Sequence, residues 1–356
     1  MVEKKNIVFL IHTEFHLIEA ISYIFNNYLS SGYQVYVYRI STSNSRRLDK
    51  YNIQVDEIPG TYRVVRYDAG YMFSRSLKDA LNEIVSLNPE KMVFFDEGQF
   101  WLPYLMRKLK RNGCVICMAP DGTNVYSADK LTFEYLYKYI IHSFLFIYSH
   151  WLIPPLWPII RRHHYGYSKY IDELWMEHSD CFVNYYKRKV CIQPVYNTDE
   201  IRDCVNRVFG LHDLPADFPK GKSIVFFDAP LSDAIIDRCQ QLLINIMQRY
   251  PEYKVYIKMH PHSTEYSKEL YEKIPGVSFM PNVFPAELYI QNMTDSVFLS
   301  AYSNCLFSYN PSCLYFWIYP MFKELLPNEV LINPTDYIHE VSDLSELFNQ
   351  IESFKK

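Results

Sequence analysis

Residues 223–263 read SIVFFDAPLSDAIIDRCQQLLINIMQRYPEYKVYIKMHPHS. Ser223–Phe227 is a short, uncharged, mostly apolar run, the composition of a strand buried on both faces. Asp233–Arg249 follows with apolar residues at helical spacing. Lys254–Lys258 is a second short run, ending on the polar stretch His260-Pro261-His262-Ser263. A strand, a long amphipathic helix and another strand form a crossover unit, and crossovers join parallel strands.

The alternation continues in both directions. Downstream, helices are expected at Thr264–Lys273, Pro285–Gln291 and Asp343–Phe354, and strands at Val277–Met280, Ser296–Leu299 and Val330–Ile332. Upstream, strands are expected at Asn6–Ile11, Tyr33–Arg39, Tyr62–Tyr67, Lys91–Phe95 and Cys114–Ala119. Helices lie between them, from Glu14 to Leu29, Ser74 to Ser86 and Trp101 to Lys110. Lys130–Tyr186 reads as mostly helical, and Leu211–Gly221, rich in Pro, Gly and Asp, reads as a linker. The domain expectation is therefore an N-terminal Rossmann-like domain over 1–210 with a helical insertion at about 126–186. A linker at 211–221 and a C-terminal domain over 222–356 follow, the last helix packing back on the first domain. The fold class is α/β.

The 356-residue length suits two domains. A net charge of -4 argues against a nucleic-acid partner. Aromatic residues make up 17% of the chain, with 32 Tyr and 23 Phe against 10 Gly, so ring surface is abundant for cores and interfaces. The apolar run Ile7–Ile11 is too short for a signal-peptide core, and the expected location is the cytoplasm. Cys114 and Cys117 form a CxxC inside a buried strand, which alternation points to opposite faces, without the second ligand pair of a zinc site.

Tyr139–Ile160 contains no Asp, Glu, Lys or Arg. Its length reaches that of a membrane span, but Pro154, Pro155 and Pro158 break a helix there. Lys138 and Arg161-Arg162-His163-His164 flank it. A helix lying in the membrane interface fits these flanks better than a span, and a buried element of the fold is the alternative. Contact through 139–164 would hold the protein at the inner face of the cytoplasmic membrane.

In doubly wound domains ligands bind beyond the carboxyl ends of the strands. The first strand is followed by His12-Thr13-Glu14-Phe15-His16, with Thr13 also a good helix cap. Asp96-Glu97-Gly98-Gln99 and Pro120-Asp121-Gly122-Thr123-Asn124 each offer an acid on a turn. Such an acid serves as a general base or as an ordinary cap. His260 before Pro261 is placed to donate to a phosphate or leaving oxygen, or is a solvated loop residue. Glu287 opens a short helix, where it suits a ribose diol. Ser300-Ala301-Tyr302-Ser303-Asn304 offers hydroxyls and N–H groups for phosphate, or a helix cap.

Taken in order, these segments resemble the motifs of bacterial sialyltransferases of the glycosyltransferase B (GT-B) type: an acidic pair before Gly, a His-Pro and a Ser pair. Lys258-Met259-His260-Pro261 is similar to the His-Pro motif, Ser303-Asn304 stands at the Ser pair, and Pro281–Leu288 looks like the ribose-binding stretch. His12–Leu17 and Phe227-Asp228-Ala229-Pro230-Leu231 resemble openings found in glycosyltransferase family 52, the lipooligosaccharide sialyltransferases, which are related to the polysialyltransferase families. Two segments compete for the acidic motif. Asp96-Glu97-Gly98 matches its letters, while Asp121-Gly122-Thr123 matches its surroundings, although Pro120 replaces the first acid. Asn304 replaces the second hydroxyl.

The resemblance implies two Rossmann-like domains facing a central cleft and an inverting transfer of sialic acid from CMP-sialic acid. The implied acceptor is a hydroxyl, that of galactose, on a bacterial surface glycan such as lipooligosaccharide or capsule, with a lipid-linked glycan as one form of it.

 The resemblance also implies roles for single residues. Asp121, or Glu97, takes the acceptor proton, and His260 donates to the leaving CMP phosphate. Ser303, with Asn304 or Ser300, holds that phosphate, and Glu287 holds the ribose. The backbone near Lys258 and Met259 meets the cytosine, and Pro261, Gly122, Thr123, Thr13 and His16 are further substrate-binding positions. No cofactor or metal is implied, because a nucleoside monophosphate leaves with less charge than a diphosphate. Alternatives are a Kdo or polysialic acid transferase, a CDP-glycerol glycerophosphotransferase, and a non-catalytic nucleotide- or sugar-binding module of a capsule assembly complex.

Overall fold

The structure is a computed structural model, and it describes residues 5–42, 48–67, 74–96, 99, 101–122, 168, 170–176, 189–192, 198–214, 218–219, 221–326 and 333–354. The chain divides into two compact units, the first running to Val208 and the second beginning at Phe209, with Lys50–Asn52 grouped with the second.

The first unit contains β1 (Lys5–Ile11), α1 (Glu14–Asn27), β2 (Tyr33–Thr42), β3 (Thr61–Tyr67), α2 (Arg75–Ser86), β4 (Lys91–Phe94), α3 (Leu102–Arg111), β5 (Val115–Met118), β6 (Glu173–Met176), β7 (Lys189–Ile192) and α4 (Asp199–Val208). Its strands form one sheet in the order β3-β2-β1-β4-β5-β6-β7, parallel at every pairing. Ile7–Ile11 of β1 are fully buried, as expected for a central strand covered on both faces. Helix α1 turns Leu17, Ala20, Ile21 and Ile24 inward at helical spacing.

The second unit contains β8 (Ser223–Phe227), α5 (Asp233–Arg249), β9 (Lys254–Lys258), α6 (Glu265–Glu272), β10 (Ser278–Phe279), α7 (Ala286–Asn292), β11 (Ser296–Ser300), β12 (Leu314–Trp317), β13 (Ile338–Glu340) and α8 (Leu344–Phe354). Its sheet, β10-β9-β8-β11-β12-β13, is also all parallel. Counted from its own first strand the order is 3-2-1-4-5-6, that of a dinucleotide-binding half. Ile235, Ile236, Cys239, Leu243 and Ile246 of α5 pack into one core with Ile257, Leu299 and Phe316. Both sheets reverse direction of growth beside their first strand, between β1 and β4 and between β8 and β11. These are the switch points where such sheets bind ligands.

Several expectations need correction. The region 130–186 is not wholly helical: Glu173–Met176 is a strand of the first sheet, and the rest of the expected insertion lies outside the described residues, apart from 168 and 170–172. The expected strand Val330–Ile332 also lies outside them, and the last strand described is Ile338–Glu340. The segment 211–221 is not a free linker, because Phe218 is buried in the second unit and stacks on Tyr289 at 5.2 Å. The last helix, α8, is part of the second unit. Its Leu347 and Ile351 are buried in the core of the second unit, since their spacing of four puts both on one face. The candidate membrane stretch 139–164 lies outside the described residues, among which no helix is long and apolar enough to cross a membrane.

Candidate active site

In the first unit, four strand ends converge. Thr13 is extended and caps α1, its hydroxyl accepting the His16 N–H at 3.2 Å. That cap places His16 in the first turn of α1, where its ring lies flat on Phe95, just past β4, at 4.6 Å and 10°. His16 Nδ1 accepts the backbone N–H of His12 at 3.2 Å. An accepting Nδ1 carries no proton, so Nε2 carries it and donates to Asp121 Oδ1 at 2.6 Å. Asp121 stands just beyond β5, followed by Gly122 at φ 61°, a left-handed turn that favours glycine. His12 Nδ1 in turn donates to Ile40 O of β2 at 2.6 Å.

This arrangement assigns tasks. His16 is 1% exposed and has both ring nitrogens engaged, whereas Asp121 is 23% exposed. The carboxylate is the group presented to solvent, and the imidazole orients it. Burial holds the His12 imidazole below its ordinary pKa, against the upward pull of the Asp96 carboxylate. Asp96 accepts from Gln99 Nε2 at 2.8 Å. Thr13 and His16 were expected to bind substrate; the Thr13 hydroxyl caps α1, as was also expected, and His16 supports Asp121. Glu97 and Thr123 lie outside the described residues.

In the second unit, Lys258, Phe227 and Ser300 stand in register across β9, β8 and β11, so the residues after them emerge along one edge. Beyond β9, His260 Nδ1 accepts the His262 N–H at 3.1 Å, which leaves the proton of a neutral ring on Nε2. Met259 packs against the core, and Pro261 is exposed. Beyond β11, Ser303 caps a short 3-10 turn that begins at Asn304, its hydroxyl accepting the Cys305 N–H at 3.4 Å.

The Ser300 hydroxyl and the Lys258 side chain have structural tasks. Ser300 is fully buried. Its hydroxyl donates to Phe227 O at 2.9 Å and accepts the Ser303 N–H at 3.1 Å, so it shapes the turn from within. The Lys258 ammonium is also buried. It donates to Pro281 O at 3.0 Å and Asn282 Oδ1 at 2.5 Å and lies over the Tyr289 ring at 5.4 Å. Lys258 therefore anchors the segment that leads into α7, whose first turn carries the buried Glu287. Burial pushes the Cys305 thiol up, and the charge of Glu287 adds to that shift.

Sequence reading gave no site role to Phe95, Asn282 or Tyr289. Phe95 is found by being the last residue before Asp96 at a strand end, but its stacking on His16 has no local signature. The CxxC pair is buried, and burial pushes Cys114 up to about 12, the opposite of a reactive thiolate. No group of three metal-ligating side chains occurs among the described residues.

The chain matches the family model described as alpha-2,8-polysialyltransferase over residues 72–312. No curated protein matches it. Among solved structures, it is similar to a Listeria monocytogenes protein assigned as a UDP-N-acetylglucosamine 2-epimerase, at 8% identity and TM-score 0.51, covering 86% of this chain and 76% of that one. A Photobacterium damselae sialyltransferase GT-B domain aligns at 13% identity and TM-score 0.47, covering 88% and 91%. A 2,6-sialyltransferase from Photobacterium sp. JT-ISH-224, in complex with CMP and lactose, aligns at 13% identity and TM-score 0.46, covering 87% and 70%. The family match spans α2 to β11 and includes the acid beyond β5 and the His-Pro beyond β9, while His12, Thr13 and His16 precede it. The chain belongs to the alpha-2,8-polysialyltransferase family and is a sialyltransferase-like glycosyltransferase of two parallel-sheet α/β domains.

Proposed function

We propose that the protein transfers sialic acid from CMP-sialic acid to a glycan hydroxyl with inversion at the anomeric carbon. The observation that carries this reading is the Asp121 carboxylate, held by a buried neutral imidazole and presented at the strand ends. Asp121 accepts the proton of the attacking hydroxyl as its oxygen bonds to the anomeric carbon. His260 donates through Nε2–H to the CMP phosphate as the glycosidic bond to phosphate breaks. The Ser303 hydroxyl and the Asn304 amide hold that phosphate, and Glu287 accepts from the ribose. The residue tasks need no cofactor beyond the donor. The description of the matched family favours a terminal sialic acid, through its 8-hydroxyl, over galactose as the acceptor. A lipid-linked glycan at the inner face of the membrane is the setting in which the stretch 139–164 would serve.

The test is a donor and acceptor panel. CMP-sialic acid, CMP-Kdo, CDP-glycerol and UDP-sugars are offered with lactose, sialyllactose and an oligosialic acid, and products are read by mass and linkage. Transfer from CMP-sialic acid to sialyllactose supports the reading. Turnover of CDP-glycerol alone overturns it, and CMP binding without turnover of any donor leaves a binding module. CMP should raise the melting temperature more than CDP or UDP, because a ligand bound to the native state stabilises it.

A further inference from the structure

Asp228 follows β8 directly, is 2% exposed, and has no task in the reaction just described. A buried carboxylate persists only where hydrogen bonds replace its lost water. Here Ser263 Oγ–H donates to Oδ2, Tyr271 O–H donates to Oδ1 at 3.3 Å, and the Ala229 N–H adds a third bond. Burial still pushes this carboxyl above its ordinary pKa.

The same residue reaches the turn that carries His260. The Asp228 N–H donates to Lys258 O at 3.0 Å, just before the turn. Ser263, which ends the turn, is held by the Asp228 carboxylate. Inside the turn, the Ser263 N–H donates to His260 O at 2.9 Å and the His262 N–H donates to His260 Nδ1 at 3.1 Å. One side chain and its own backbone therefore hold both ends of 259–263. The internal bonds pass that constraint to the imidazole. A carboxylate suits this place because both oxygens accept at once, whereas an amide accepts through one.

We infer that Asp228 is a positioning residue for His260, clamping both ends of the 259–263 turn and so aiming Nε2–H at the leaving phosphate. The inference rests on the proposed function for the identity of the target. A donor displaced by about 1 Å can lose about 10²-fold in rate, so a clamp of this kind has a measurable effect.

The experiment places Asp228→Asn and Ser263→Ala in the wild-type and His260→Ala backgrounds. It reads transfer rate, CMP affinity, melting temperature and the ring ¹⁵N signals of His260. Ser263→Ala removes one bond only and keeps the test open where Asp228→Asn folds poorly. The expected result is a fall in kcat of about tenfold or more, CMP affinity little changed, and no further loss once His260 is gone. The ring signals should pass from a single Nε2–H tautomer to a mixture. Equal losses in both backgrounds, or unchanged ring signals in both variants, overturn the inference. If His260→Ala leaves transfer intact while the ring signals still change, the clamp stands and the assigned role of His260 in the reaction fails.

Discussion

Asp121 Oδ1 lies 2.6 Å from His16 Nε2, across 105 residues of sequence, and His16 makes its other nitrogen an acceptor for the His12 N–H. That backbone bond fixes the tautomer. The imidazole therefore supports the carboxylate as a donor and takes no proton from it, so in the proposed reaction the base of the pair is Asp121.

Removing the base and removing its support should differ. Asp121→Ala is expected to lower transfer by about 10²-fold or more, the ordinary contribution of a general base. His16→Gln keeps a donor near Asp121 and should lose less, with CMP affinity unchanged in both. Initial rates and calorimetric CMP binding check this. Full activity in Asp121→Ala would move the base elsewhere, with Glu97 the first alternative.

His260→Ala should also lower transfer by about 10²-fold or more. A donor whose leaving group needs no proton separates the two roles of His260. The variant should recover much of its rate on such an activated donor, while Asp121→Ala should not. Equal deficits on both donors would remove His260 from leaving-group departure.

Stability should fall with acid in a way traceable to His12. Its folded pKa lies below the ordinary 6.5 because of burial, with Asp96 pulling the other way. The unfolded chain therefore binds a proton that the folded chain refuses. Stability is greatest above about 6.5 and is lost as pH falls from there towards the lowered value. Urea denaturation between pH 5 and 8 should show this slope, and His12→Asn, which keeps a donor for Ile40 O, should flatten it. An unchanged slope in the variant would assign the effect to another group.

Lys258→Met removes a buried ammonium and leaves Pro281 O and Asn282 Oδ1 without that donor. The expected cost is about 1 kcal/mol, that of an ordinary hydrogen bond, because Pro281 O keeps the Tyr289 O–H at 2.9 Å and Asn282 is exposed to water. Because the segment leads to Glu287, donor affinity should weaken as well. Urea midpoints and CMP titration measure the two effects, and a neutral outcome in both would show that the ammonium anchors nothing.

Ser300→Ala and Ser303→Ala should part in the opposite sense. Ser300 bridges Phe227 O and the Ser303 N–H in the core, so its loss should cost about 1–3 kcal/mol of stability. Ser303 is a partly exposed cap, whose loss should cost about 1 kcal/mol and weaken donor binding more. Thermal unfolding and donor KM together distinguish them.

The strand–helix alternation of both units was legible because apolar periodicity is a local property, and β1, β4, α5 and β9 follow it closely. Other elements escaped for physical reasons. Glu173 opens β6 with a charge, which a pattern reads as exposed, yet its carboxylate is buried on Lys91 and the Trp175 indole. Leu314–Trp317 of β12 runs on into further apolar and aromatic residues, so its end has no mark. The polar residues beyond the strands were also legible, since ligand-binding groups of this fold gather there. By itself, the sequence determined that Thr13, His16, Asp121, His260 and Ser303 stand at strand ends. The tertiary structure alone decided that His16 supports Asp121 and that Ser300 and Lys258 turn inward. Such pairings depend on strand order and on hydrogen bonds between residues far apart in the chain, and no local spacing encodes those.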